Sequence, residues 1–176
     1  MHGTSMVTMK KFIEDNKLRE GKVVLDVGAF DVNGSYKVLF DSPKSKYIGV
    51  DMRYGPGVDI IFDSTAWYYL HDVDAFISGQ TFEHVENRPY LLSKLIDVMK
   101  PGAIFCIITP SAGPEHDPPY FGNISTKQMR EYLESAGFVV DSCVINKESQ
   151  PWQESCCIGH KPKDGEKKER KDEAYK

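Results

Sequence analysis

The stretch VVLDVGAFDVNGSY, residues 23 to 36, decides the fold. Its first five residues are apolar or β-branched around one acid, the pattern of a strand buried on both faces. Gly28 then breaks the strand, and Asn33 is expected to cap a helix through Tyr36, Val38, Leu39 and Phe40 that Pro43 ends. Strand, glycine turn and helix in that order make the first half of a unit whose strands run parallel.

Working outward, the alternation continues. A helix near Thr8 to Leu18 precedes the stretch, and Tyr47 to Val50, Val58 to Phe62 and Ala75 to Ile77 read as the next strands. Tyr90, Leu91, Leu95, Ile96 and Met99 share one helical face, closed by Pro101-Gly102. Ala103 to Thr109 is a further strand, Ser125 or Thr126 caps a helix that Gly137 stops, and extended structure resumes at Phe138 and again at Cys156 to His160. Right-handed crossovers then give an α/β fold with a mostly parallel sheet covered on both faces.

Composition bounds the rest. A chain of 176 residues with 40% hydrophobic content holds one core rather than two. A net charge of -4 offers no whole-chain basic field for a nucleic acid, which is therefore disfavoured as a partner. No apolar run approaches the roughly 20 residues of a membrane span, and a soluble, cytoplasmic protein is expected. Cys106, Cys143, Cys156 and Cys157 have neither zinc-finger nor disulfide-framework spacing and are expected as reduced thiols. The opening MHGTS reads as an expression scar, residues 1–22 are taken as an N-terminal segment with a helix, 23–162 as the domain, and 163–176 as a charged, disordered tail.

In an open parallel sheet the ligand lies beyond the carboxyl ends of the strands. Those ends carry Asp26-Val27-Gly28, Asp51-Met52, Asp63-Ser64 and Ser78-Gly79-Gln80. A dinucleotide loop needs G-x-G-x-x-G, but from Gly28 the later places hold Phe30 and Asn33, and Asp26 and Asp31 would repel a pyrophosphate. A ligand without phosphate and with positive charge fits better. S-adenosylmethionine has a sulfonium, an ammonium and a ribose diol, for which Asp26 suits the ammonium, Asp51 the ribose and Asp63 the adenine amine.

These residues resemble a class I S-adenosylmethionine-dependent methyltransferase. The resemblance is carried by VLDVGAFDVNGSY, YIGVDMRYGPGVDIIFD, DAFISGQTFEHVENRPYLL, VMKPGAIFCIITPSAGPEH and PWQESCCIGHKP, roughly Val23 to Pro162. It is most similar to small methyltransferases associated with glycan biosynthesis. The resemblance implies a Rossmann-like, seven-stranded sheet with an antiparallel last strand, and the cofactor across the first four strand ends. It implies Gly28 and Asn33-Gly34 around the methionine moiety, Asp51 at the ribose, Asp63-Ser64 at the adenine and Gln80 facing the methyl group, with Phe30, Met52 and Ser78 also among the cofactor-binding residues. The chain departs from the usual loop of three alternating glycines by placing Phe30 and Val32 at the later two.

Methyl transfer to a hydroxyl needs alignment and a proton acceptor. His84 in TFEHVEN and His116 in SAGPEHDPPYFGN lie where a base is required, and both are candidate catalytic residues. Tyr120-Phe121 suits a substrate wall. Glu83, His84 and His116 also resemble the ligand set of metal-assisted small-RNA 2′-O-methyltransferases, but those carry a further glutamate where Gln80 stands, and no metal is expected. The reading is O-methylation of a sugar or glycan-related hydroxyl, with a small-molecule or glycan acceptor, and with either an exposed or large acceptor or a second subunit in a homodimer accounting for the missing lid. An RNA methyltransferase and a non-catalytic S-adenosylmethionine-binding module are the alternatives. Ser111 lies outside a G-x-S-x-G elbow, which speaks against a hydrolase.

Overall fold

The computed structural model describes residues 3–62, 65–146 and 153–166. In chain order these form α1 (Gly3–Asp15), β1 (Val23–Val27), β2 (Lys46–Asp51), β3 (Ile60–Ile61), β4 (Val73–Gly79), α2 (Arg88–Val98), β5 (Met99–Ala112), α3 (Thr126–Ala136), β6 (Val139–Asn146) and β7 (Gln153–His160). Short 3-10 helices lie at Tyr36–Phe40, Ala66–Tyr68 and Phe82–His84.

The strands form one seven-stranded sheet in the order β3-β2-β1-β4-β5-β7-β6. Pairs from β3 through to β5 are parallel, and β7 runs antiparallel between β5 and β6. The order reverses between β1 and β4, which opens a crevice at their carboxyl ends where an α/β sheet takes its ligand.

Side chains alternate across the sheet with period two. Leu25, Val27, Phe76, Phe105 and Ile107 face α2 and α3, with Leu92, Leu95, Met129, Leu133 and Phe138 against them. Val24, Ala75, Ile77, Cys106 and Ile108 face the other way, onto α1 and the Tyr36–Phe40 turn. Burying both faces explains the near-continuous apolar character of the central strands.

Several expected boundaries move for identifiable reasons. The helix expected from Asn33 is a single 3-10 turn capped by Ser35, whose hydroxyl accepts from the Lys37 amide. Gly34 has φ +112 and donates its amide to the Asp31 carboxylate, so the chain at Asn33-Gly34 is turned rather than helical. Helix α2 ends at Val98 and β5 starts at Met99, so Pro101-Gly102 lie within a strand, where Gly102 has φ +75. Helix α3 has the expected ends, a Ser125 to Gln128 capping box and Gly137 in the left-handed region.

Of the opening five residues, Gly3 to Ser5 begin α1 and belong to the fold, and Met1 and His2 lie outside the described residues. Met9, Phe12 and Ile13 of α1 are buried, Ser5 is hydrogen-bonded to the Tyr36 hydroxyl, and Thr4 donates to Glu154 at 2.9 Å. The expectation of four reduced thiols also fails. Cys143 and Cys157 are partners in the β6/β7 register and form a disulfide, whereas Cys106 and Cys156 are free. The pairing follows from antiparallel register, which linear spacing hides. Of the proposed tail, residues 167–176 lie outside the described residues. No helix among the described residues is long and apolar enough to cross a membrane.

Candidate active site

At the carboxyl end of β1 the chain turns at Gly28, with φ +83, and the amides of Gly28 and Ala29 both donate to the Val50 carbonyl at 2.9 and 3.0 Å. This locks the loop onto β2. A Cβ at Gly28 would stand 2.0 Å from Thr81 Oγ1, so the turn after β1 fits directly against the segment after β4. Only glycine satisfies both the backbone angle and that approach.

Beneath the turn lies Asp26, 2% exposed, accepting a hydrogen bond from the Tyr47 hydroxyl at 2.6 Å. Burial pushes its carboxyl up to about 7; the Tyr47 bond opposes the shift and the neighbouring charge of Asp51 adds to it. A buried acid in that state gains from any cation brought to it.

Asp51 ends β2, with Oδ1 accepting from the Arg53 amide at 2.9 Å and Oδ2 at 3.4 Å from the Phe30 amide. It thus links the β1 and β2 loops at the reversal of strand order. The Phe30 ring packs on Gly55, where a Cβ would come within 2.1 Å of it, and under the Arg53 guanidinium at 4.4 Å. Met52 is 82% exposed on the rim beside it, and Asn33 and Gly34 are exposed on the same loop. Asp63 and Ser64 lie outside the described residues.

Ser78 is buried and donates to the Val27 carbonyl at 2.8 Å, stitching β4 to β1 just below the crevice. Gln80 follows with φ +55 and donates through Nε2 to Glu154 at 2.6 Å. Glu154 is itself buried and also receives Thr4, so β7, the start of α1 and the end of β4 meet there. Nothing in the linear pattern around Glu154 marked it, because QESCC reads only as the start of a strand.

The second half of the rim gathers Glu83, His84 and His116. His84 and His116 follow β4 and β5, and their rings meet edge to face at 5.3 Å. Each directs Nε2 to 3.8 Å from Glu83 Oε1. Glu83 is fully buried; its other oxygen accepts from Thr109 at 3.3 Å, while Oε1 has no hydrogen-bond partner. Burial pushes the Glu83 carboxyl up to about 7, against the hydrogen bonds from its own backbone amide and Thr109.

The two loops carrying these residues are tied together. His84 Nδ1 lies 2.7 Å from the Pro119 carbonyl, and the Phe121 amide donates to the Glu83 carbonyl at 2.8 Å. Arg88 donates from Nε to the Phe82 carbonyl and from Nη2 to the Gly122 carbonyl, one fork bridging both loops. Sequence reasoning missed Arg88, which looks there like an ordinary first-turn residue of α2. Tyr120 packs its ring 5.2 Å from that of His116 and 5.9 Å from that of His84, forming a wall, with Phe121 exposed next to it.

This architecture is the class I S-adenosylmethionine-dependent methyltransferase fold. Methyltransferases of that class from Aquifex aeolicus and Archaeoglobus fulgidus superpose with TM-scores of 0.66 and 0.64 at 20% and 18% identity, covering 90% and 89% of this chain and 98% and 95% of theirs. The 1,6-didemethyltoxoflavin-N1-methyltransferase of Burkholderia thailandensis, bound to S-adenosylhomocysteine, gives 0.67 at 15% identity over 90% of this chain and 78% of its own. In sequence, the chain is similar to a probable S-adenosylmethionine-dependent methyltransferase of Mycolicibacterium smegmatis, 26% identical over 105 residues. The match takes in 56% of this chain and 38% of that relative's length. No family model matches.

Proposed function

We propose that the protein is an S-adenosylmethionine-dependent methyltransferase that methylates a hydroxyl of a sugar or glycan-related acceptor. The observation that carries the donor is the buried Asp26 carboxyl under the Gly28 turn, set beside Asp51 at the point where strand order reverses. Asp26 suits an ammonium, Asp51 a ribose diol, and Phe30 and Asn33 at the two later glycine places of a dinucleotide loop suit a ligand without pyrophosphate.

S-adenosylmethionine supplies a methyl group on a sulfonium, an electrophile that needs no acid. The chain aligns the acceptor oxygen behind that methyl and takes its proton. The new carbon–oxygen bond forms as the methyl–sulfur bond breaks, the electron pair leaves on sulfur, and the proton departs at the cluster of Glu83, His84 and His116. Tyr120 and Phe121 offer flat apolar faces of the kind a sugar ring packs on. The small-molecule acceptor named for the Burkholderia neighbour supports an acceptor of similar scale. A second copy of the chain would cover the open side of the crevice.

Calorimetry with S-adenosylhomocysteine and NAD tests the donor. The expected result is S-adenosylhomocysteine binding with no NAD heat; NAD binding alone would overturn the reading. Turnover with glycan-derived alcohols, measured as S-adenosylhomocysteine released, tests the acceptor.

A further inference from the structure

The geometry points to a metal site: we propose that Glu83 Oε1, His84 Nε2 and His116 Nε2 bind one divalent transition-metal ion of the imidazole-preferring kind, such as Zn²⁺ or Co²⁺. The proposal deepens the acceptor side of the methyltransferase reading, but the binding of the ion stands on this cluster alone.

One ligand atom from each of the three side chains lies within 4.8 Å of the other two. Ligands around one ion at about 2.1 Å stand roughly 3.0–3.4 Å apart, so the 3.8 Å between each Nε2 and Oε1 needs only a small inward closure. At 3.8 Å neither imidazole hydrogen-bonds that oxygen. A fully buried carboxylate oxygen is therefore aimed into the space between two ring nitrogens with nothing to accept from. A carboxylate left in that state is costly, and a cation between the three donors removes the cost.

The surroundings orient the donors as a metal site requires. His84 turns Nδ1 to the Pro119 carbonyl, which fixes the proton there and leaves the Nε2 lone pair facing Glu83. His116 places Nδ1 towards the Pro114 carbonyl at 3.5 Å, the same arrangement more loosely held. Thr109 holds the second oxygen of Glu83, and Arg88 clamps the two loops. Two imidazoles and one carboxylate favour Zn²⁺ or Co²⁺ over Mg²⁺ and Ca²⁺, which prefer all-oxygen shells.

Three protein ligands leave coordination positions open, as in catalytic rather than structural sites. Thr81, the residue against which Gly28 fits, accepts the His84 amide at 2.9 Å, so the cluster begins one 3-10 turn from the donor loop. With the ion bound, the three donors act as ligands in place of a base, and an acceptor hydroxyl on the ion would lose its proton to water more readily.

The test is titration of the metal-free chain with Co²⁺, read by its visible absorption, and with Zn²⁺ by calorimetry. One equivalent per chain is expected, with no displacement by millimolar Mg²⁺. His116→Ala, a change at a loop side chain that is 24% exposed, and Glu83→Gln are each expected to weaken binding by at least about 100-fold. Thermal melts of the metal-free variants check that they are folded, and His116→Ala decides the matter if Glu83→Gln is not. Absence of stoichiometric binding, or affinity unchanged in a folded variant, overturns the site. S-adenosylhomocysteine calorimetry in chelator is run beside it: donor binding without Co²⁺ binding sinks the metal alone, and the converse sinks the donor alone.

Discussion

The two halves of the rim are built by different means. The half after β1 and β2 is made by backbone: Gly28 at positive φ, amides on the Val50 carbonyl, and acids at adjacent strand ends. The half after β4 and β5 is made by side chains from loops 32 residues apart in sequence, His84 and His116, held by the Arg88 fork and the Pro119 carbonyl. A backbone-built site tolerates little change in shape but wide change in surface chemistry, whereas a side-chain cluster fails one ligand at a time. Mutations should separate the two.

The largest effect is expected at Gly28. An alanine there meets both the left-handed backbone cost, about 1–2 kcal/mol, and the overlap with Thr81, about 1–3 kcal/mol more. Gly21 is the internal control, with φ +77 and open space around a Cβ. Urea unfolding should therefore show Gly28→Ala well below Gly21→Ala; equal losses would mean that the contact with Thr81 relaxes freely and that the two half-sites are not tightly joined.

Next comes the pH response of the backbone-built half. Asp26 is raised in the fold to about 7 from its ordinary value near 4, so the folded chain holds a proton that the unfolded chain has lost between those values. The stability linked to that proton is full below pH 4 and is lost as pH rises through about 7. A ligand ammonium reverses the preference, because it favours the ionised acid. Binding of S-adenosylhomocysteine should weaken up to about tenfold per pH unit below 7, with release of a proton on binding at pH 6. Calorimetry in two buffers of different ionisation heat measures that proton, and Asp26→Asn should abolish it. Persistent proton release in that variant would move the ammonium away from Asp26.

Asp51→Ala should cost S-adenosylhomocysteine affinity about tenfold to 100-fold, the worth of hydrogen bonds to a charged group. Because the carboxylate also receives the Phe30 and Arg53 amides, Asp51→Asn separates loop support from ribose binding. A folded asparagine variant with full affinity would place the ribose elsewhere on the rim.

The contrast between the halves also explains what was legible in the sequence. Strand ends with acids are local facts, so Asp26, Gly28 and Asp51 could be placed at the crevice from VVLDVGAF and YIGVD alone. A mostly parallel sheet covered on both faces followed from strand and helix alternation together with the handedness of crossovers, whereas the order of its strands is seen only in the fold. Local signals misled where tertiary geometry prevailed: Asn33 looked like a helix cap, yet Gly34 turns the chain, and Cys143 and Cys157 are distant in sequence yet opposite in register. The meeting of His84 and His116 on Glu83 was only half legible. The strand-end rule brings both loops to one rim, but no spacing reveals that both Nε2 atoms face one buried oxygen.

The smallest effect should fall on the clamp, and it sharpens the contrast most. Arg88 hydrogen-bonds none of the three donor side chains; its guanidinium spans the Phe82 and Gly122 carbonyls, so it positions the loops that carry His84 and His116. Arg88→Lys keeps the charge but loses the planar fork, since one ammonium cannot reproduce two donors fixed at that separation. The cluster should then loosen, with Co²⁺ affinity falling about tenfold, as for other groups that orient ligands without touching the ion. S-adenosylhomocysteine affinity should stay within about twofold, because the Gly28 and Asp51 loops are bonded to each other and not to Arg88. Equal losses of both affinities would show that the crevice responds as one unit, with Thr81 carrying the change from the side-chain cluster to the backbone turn.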